Sequence, residues 1–135
     1  MEKALYNRKG QPVAYIAADY FGTIYLWAGE PVAYLYEEIH VYGITGQHLG
    51  WFKDEVLYTP EGARVGFTPS TCPVPIAKSP QKGRKAQISE LKPRWKPPPS
   101  PEFSYQLASQ DLADFLKQGE VRSLRDDRTK ESAQD

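Results

Sequence analysis

Two histidines, one cysteine and a scatter of carboxylates are the groups in this 135-residue chain that could act on a substrate or hold a metal. His40 and His48 stand eight residues apart, with Glu37, Glu38 and Asp54 as the nearest acids. A zinc site draws three or four N, S or O ligands at recognisable spacing, and the sequence offers none. His40 falls in a connector and reads as a surface residue. Cys72 has no flanking signature and reads as a small buried hydrophobe or a spectator thiol. No phosphate loop, nucleophile elbow or dinucleotide fingerprint occurs. The expectation is a non-enzyme: no catalytic residue, no metal, no cofactor. Asp19, Glu37, Glu38, Asp54 and Glu55 are expected as solvated charge, or as a ring if the chain closes on itself.

A second kind of chemistry is aromatic. Tyr6, Tyr25, Tyr42 and Tyr58 recur at one place in a repeated unit, and the residue paired with each is Pro12, Pro31, His48 and Arg64 in turn. Tyr6, Tyr25, Tyr42, Tyr58, His48 and Arg64 together could receive an anionic or planar ligand. The competing reading has the rings covering the strands, with Arg64 stacked on one of them.

The elements that carry these residues are four gapless copies of one segment: LYNRKGQPVAYI from Leu5, IYLWAGEPVAYL from Ile24, VYGITGQHLGWF from Val41 and LYTPEGARVGFT from Leu57. Gly10, Gly29, Gly46 and Gly62 keep the same spacing as the tyrosines, at 19, 17 and 16 residues. A glycine between two β-rich runs marks a hairpin. Its place suits a type I turn followed by a left-handed residue. Asn7 at the first turn position and Pro60 at the second of the fourth copy agree with that turn. This loop would set Tyr6 opposite Pro12 and Leu5 opposite Val13. Strand alternation then predicts one core face: Leu5, Val13, Tyr15; Ile24, Val32, Tyr34; Val41, Leu49, Trp51; Leu57, Val65, Phe67. The tyrosines would share the other face with Ala14, Ala33, Gly50 and Gly66, the small residues leaving room for the rings or for a neighbouring hairpin.

A lone hairpin is marginal in water, so the four units must shelter one another. The residues allow a closed pseudo-fourfold ring or an open stack. Closure removes sheet edges. The ALYNRKGQPVAYI, YLYEEIHVYG and GWFKDEVLY stretches, and FSYQLASQDLADFLKQG further on, resemble the four-fold β-flower domain of bacterial proteins. That resemblance covers roughly residues 1–72. It implies an all-β fold of four hairpins closed about a fourfold axis. It implies no activity and carries over no catalytic or binding residue.

Charge and proline divide the rest. Lys and Arg against Asp and Glu count five to eight over residues 1–73, seven to one over 74–99, and five to eight over 100–135. Five of twelve prolines crowd between Pro93 and Pro101. The expected layout is a hairpin domain at 1–72, a basic disordered linker at 73–102, a helical segment at 103–119 and a charged disordered tail at 120–135. The helix is expected from Gln110 to Gln118 with Ser109 as its cap. Its stripe Leu112, Phe115 and Leu116 would dock on the head domain of this or a neighbouring chain, or on a partner's groove. Trp95, in the basic run Lys92–Pro97, is a further candidate docking residue.

A single cysteine allows no internal disulfide. The first ten residues lack a signal-peptide core, and no apolar run is long enough to span a membrane. These point to the cytoplasm, and the near-neutral pI of about 6.7 argues against nucleic acid. The functional expectation is a non-enzymatic interaction or scaffold module. Its hairpin head would be the platform, its tethered helix the docking arm, and a protein partner or another copy the target. The alternative is a small-ligand domain that uses the tyrosine face.

Overall fold

The computed structural model describes residues 2–88 and 90–120. The tail expected beyond Glu120 lies outside them. Eight short antiparallel strands follow in chain order: β1 Lys3–Tyr6, β2 Pro12–Ile16, β3 Thr23–Leu26, β4 Pro31–Tyr36, β5 His40–Gly43, β6 His48–Lys53, β7 Val56–Tyr58 and β8 Arg64–Phe67. Each pairs with the next, and β8 returns to β1, so the sheet is a closed barrel. Closure is the outcome the resemblance implied. The glycine turns behave as the sequence predicts. Gly10 N–H donates to the Asn7 carbonyl at 2.9 Å, and Gly10 holds φ at 79°.

The face assignment needs correction. Tyr6 does pair with Pro12, Tyr25 with Pro31, Tyr42 with His48 and Tyr58 with Arg64. Immediately beyond each pair the register shifts, and Leu5 lies opposite Ala14, not Val13. The extra residue is Val13, Val32, Leu49 or Val65. A β-bulge puts two residues of one strand against one of its partner, and alternation past it changes sides. Val32 and Ala33 are therefore both fully buried in the barrel core. Tyr15, Tyr34, Trp51 and Phe67 move to the outer wall, beside the repeated tyrosines. There they form four pairs across repeat boundaries: Tyr15 with Tyr25, Tyr34 with Tyr42, Trp51 with Tyr58, and Phe67 with Tyr6.

The small residues inside the barrel serve the close approach of a neighbouring hairpin, one of the two uses expected, and have a further use as well. The one helix among the described residues, α1 at Leu112–Lys117, plugs the barrel, with Leu112, Phe115 and Leu116 fully buried in its core. A Cβ on Gly50 would strike the Tyr58 carbonyl of the next hairpin and meet the Phe115 ring at 2.9 Å, and one on Gly66 would meet Leu112 at 2.9 Å. The small positions therefore admit the plug. The helix is shorter than expected and starts later. Asp111, not Ser109, is its cap, accepting from Ala113 N–H at 3.1 Å. Six residues of helix would not persist alone. Burying three large side chains, at roughly 2 kcal/mol each, holds it in place.

The segment expected to be a disordered linker is a belt. From Val74 it runs round the barrel past the hairpin turns. Ala77, Ala86, Trp95 and Ser104 donate their N–H groups to the carbonyls of Gly10, Gly29, Gly46 and Gly62 at 2.8, 2.9, 2.8 and 3.0 Å. These donors are nine residues apart throughout. Each nine-residue stretch thus meets one hairpin. Gly83 and Lys92, also nine apart, donate to Trp27 and Ile44. Prolines lack a donor, but they fall between the positions that must give one.

Candidate interaction surface

The aromatic wall and its belt form one built unit. Tyr15 and Tyr25 stack with centroids 5.7 Å apart, and Tyr34 and Tyr42 at 6.1 Å, both pairs inclined 23°. Over the first pair lie Lys82, 4.5 Å from the Tyr15 centroid, and Lys85, 5.4 Å from that of Tyr25. Over the second lies Arg94, 3.9 Å from the centroid of the adjoining Tyr36. Phe103 takes the corresponding place over Tyr58 at 4.7 Å. Lys85, Arg94 and Phe103 are again nine apart. Glu2 backs the first pair, forming ion pairs with Lys82 and, at 3.8 Å, with Lys85. The Lys82 hydrogen bond is the main reason its carboxyl titrates below the usual range. Burial pushes the phenols of Tyr15, Tyr25 and Tyr42 up.

This belt decides the fate of the predicted ligand face. Tyr6, Tyr25, Tyr42 and Tyr58 are all under 9% exposed. The Tyr42 hydroxyl is spent on the Trp95 carbonyl at 2.9 Å. The face exists, but it is filled by the chain itself. Arg64 takes the stacked place foreseen as the alternative, between Tyr58 and Tyr105, with its centre 4.3 Å from the Tyr105 centroid. Its Nε donates to the Ser104 carbonyl at 3.2 Å. Leu112, Phe115 and Leu116 belong to the barrel core and are not a free docking stripe. Trp95 keeps 60% of its surface exposed.

His40 and His48 do come together, with Nδ1 of one 3.0 Å from Nε2 of the other. His48 is buried against Tyr42 and Trp51, at 5.0 and 4.7 Å. Burial, then the neighbouring His40, lowers its pKa to about 4. His48 Nδ1 and Trp51 Nε1 are both buried without a partner. Among the described residues, no group of three or more His, Cys, Asp or Glu side chains is placed to hold a metal ion. Cys72 is half-buried, its Sγ donating to the Asn7 carbonyl at 3.7 Å.

Sequence reasoning missed Lys82, Lys85, Arg94 and Phe103, and it missed Tyr20 and Phe21. The last two stand 94% and 50% exposed in the β2–β3 connector. The nine-residue spacing of the belt was the available signal for Lys85, Arg94 and Phe103. For Tyr20 and Phe21 it was the adjacency of two aromatics among polar loop residues.

The chain matches the family described as 4-fold beta flower protein over residues 3–116, which takes in the belt and plug as well as the barrel. No curated protein and no solved structure matches it. Among the described residues no helix is long and apolar enough to cross a membrane.

Proposed function

The chain belongs to the 4-fold beta flower family, and from its geometry we propose a non-enzymatic interaction module: a rigid platform that holds a partner protein, or another copy of itself, on its outer surface. The observation that carries this reading is the consumption of both faces of the sheet. The inner face is filled by α1 and the outer face by the belt. What the molecule still offers is a hard surface set with a few exposed rings, Tyr20, Phe21, Trp95 and Tyr105. Exposed aromatics on a rigid body suit protein contacts, because little entropy is lost on docking. The docking arm foreseen for the C-terminal helix is replaced here by the body of the barrel. A reducing compartment such as the cytoplasm suits the free Cys72, and neither a membrane nor nucleic acid is part of this proposal.

The test uses the full chain as bait. A partner recovered with it is purified and reconstituted with it, or self-association is measured by light scattering. The proposal expects a stoichiometric complex that weakens when exposed rings are replaced by serine. A chain that forms no such complex and instead turns over a substrate would overturn it.

A further inference from the structure

The belt shows how this barrel grips a cationic peptide. Lys82 and Lys85 lie over stacked rings with the Glu2 carboxylate behind them, and Arg94 lies over Tyr36. Rings supply a negative face to the cation, and the carboxylate completes its charge. The same ingredients recur at the other end of the barrel, away from the glycine turns, with no cation among the described residues laid over them. The β2–β3 connector presents Asp19, Tyr20 and Phe21, the two rings meeting edge to face at 5.2 Å. The β4–β5 turn brings Glu37 and Glu38 beside them, around a shallow pocket of about 280 Å³. Asp19 Oδ1 accepts the Thr23 N–H at 3.0 Å, which fixes the loop.

Among the described residues no Lys or Arg pairs with Asp19, Glu37 or Glu38, and none stands over Tyr20 or Phe21. Three carboxylates about one pocket repel each other, and an almost bare tyrosine ring beside a half-exposed phenylalanine is poorly hydrated. One cation relieves both. The pocket is open and small, sized for a side chain and not for a cofactor. Nucleic acid is repelled by it. A peptide is the form in which the same chemistry is already bound on the belt side.

We infer that this connector-end pocket docks a Lys- or Arg-bearing extended segment of a partner protein. This rests on the platform reading and names the surface and the chemistry of its partner.

The test is a titration of the ¹⁵N-labelled full chain with tetra-arginine, and with tetra-glutamate as control. Saturable amide shifts are expected at Gly22, Thr23, Leu35 and Glu38 with tetra-arginine only, weakening as salt rises. Replacing both rings (Tyr20→Ser with Phe21→Ser) should weaken binding roughly five- to thirty-fold. Glu37→Gln with Glu38→Gln should weaken it as well, and decides the matter should the ring variant lose its folded spectrum. Shifts spread evenly over all acidic residues, or binding by both variants as tight as that of the unaltered chain, would overturn the inference. So would concentration-dependent shifts at these residues without peptide, since the occupant would then be a second copy. If a reconstituted partner complex survives both variants, the platform stands and this pocket does not.

Discussion

His48 is the residue whose chemistry depends most on its surroundings. Its folded pKa of about 4 lies below the usual histidine value near 6.5. Below pH 6.5 the unfolded chain therefore takes up a proton that the folded chain refuses. Stability is complete above that pH and is lost as pH falls toward 4, by on the order of 2 kcal/mol. Thermal melts from neutral to mildly acid pH should show this loss, and His48→Phe, which keeps a ring between Tyr42 and Trp51, should remove most of it. Equal acid sensitivity in both proteins would refute the assignment. The pairing of His48 with Tyr42 was legible in the sequence because the glycine turn fixes the nearest pair. The side to which Tyr15 or Trp51 points was not. One bulge residue between turn and ring reverses the alternation, and Val13 differs in no visible way from a regular strand residue.

The elements divide along the same line. Barrel hairpins repeat a glycine and a tyrosine, which are side-chain features, so the copies announce themselves. The belt repeats a donor and an acceptor of the backbone. Ala77, Ala86, Trp95 and Ser104 share a function and almost nothing else, and the prolines around them mimic the composition of a flexible spacer. Its order comes from the turns it touches. Gly29 tests this. It holds φ at 112°, and a Cβ there would strike the Arg84 carbonyl. Gly22 also has positive φ, at 63°, but a Cβ there would meet Leu35 and no part of the belt, the Leu35 Cβ at 3.3 Å being nearest. Gly22→Ala should cost about 1–2 kcal/mol from backbone strain alone. Gly29→Ala should cost more and should speed hydrogen exchange at Gly83 and Ala86, which Gly22→Ala should leave unchanged. Identical exchange in the two variants would mean that the belt does not rest on the turn.

For the whole molecule, barrel, belt and plug stand or fall together. The seam between β1 and β8 is held by a single register pair, Tyr6 with Phe67, and the bond from Trp27 Nε1 to the Pro80 carbonyl at 2.9 Å ties belt to sheet. Far-UV circular dichroism and tryptophan fluorescence should therefore melt at one midpoint. A fluorescence change that precedes loss of sheet would show the belt releasing by itself.

The order of these parts along the chain also governs when the protein can assemble. The first strand must await the eighth, the belt needs turns spread from Asn7 to Ala63, and the plug is the last described segment to be synthesised. The closing seam, the belt and the plug are thus contacts remote in sequence, which predicts slower folding than the adjacent hairpin pairings alone would give. Until the ribosome has released the belt, the early hairpins carry wet tyrosines that only the segment from Val74 onward can dry.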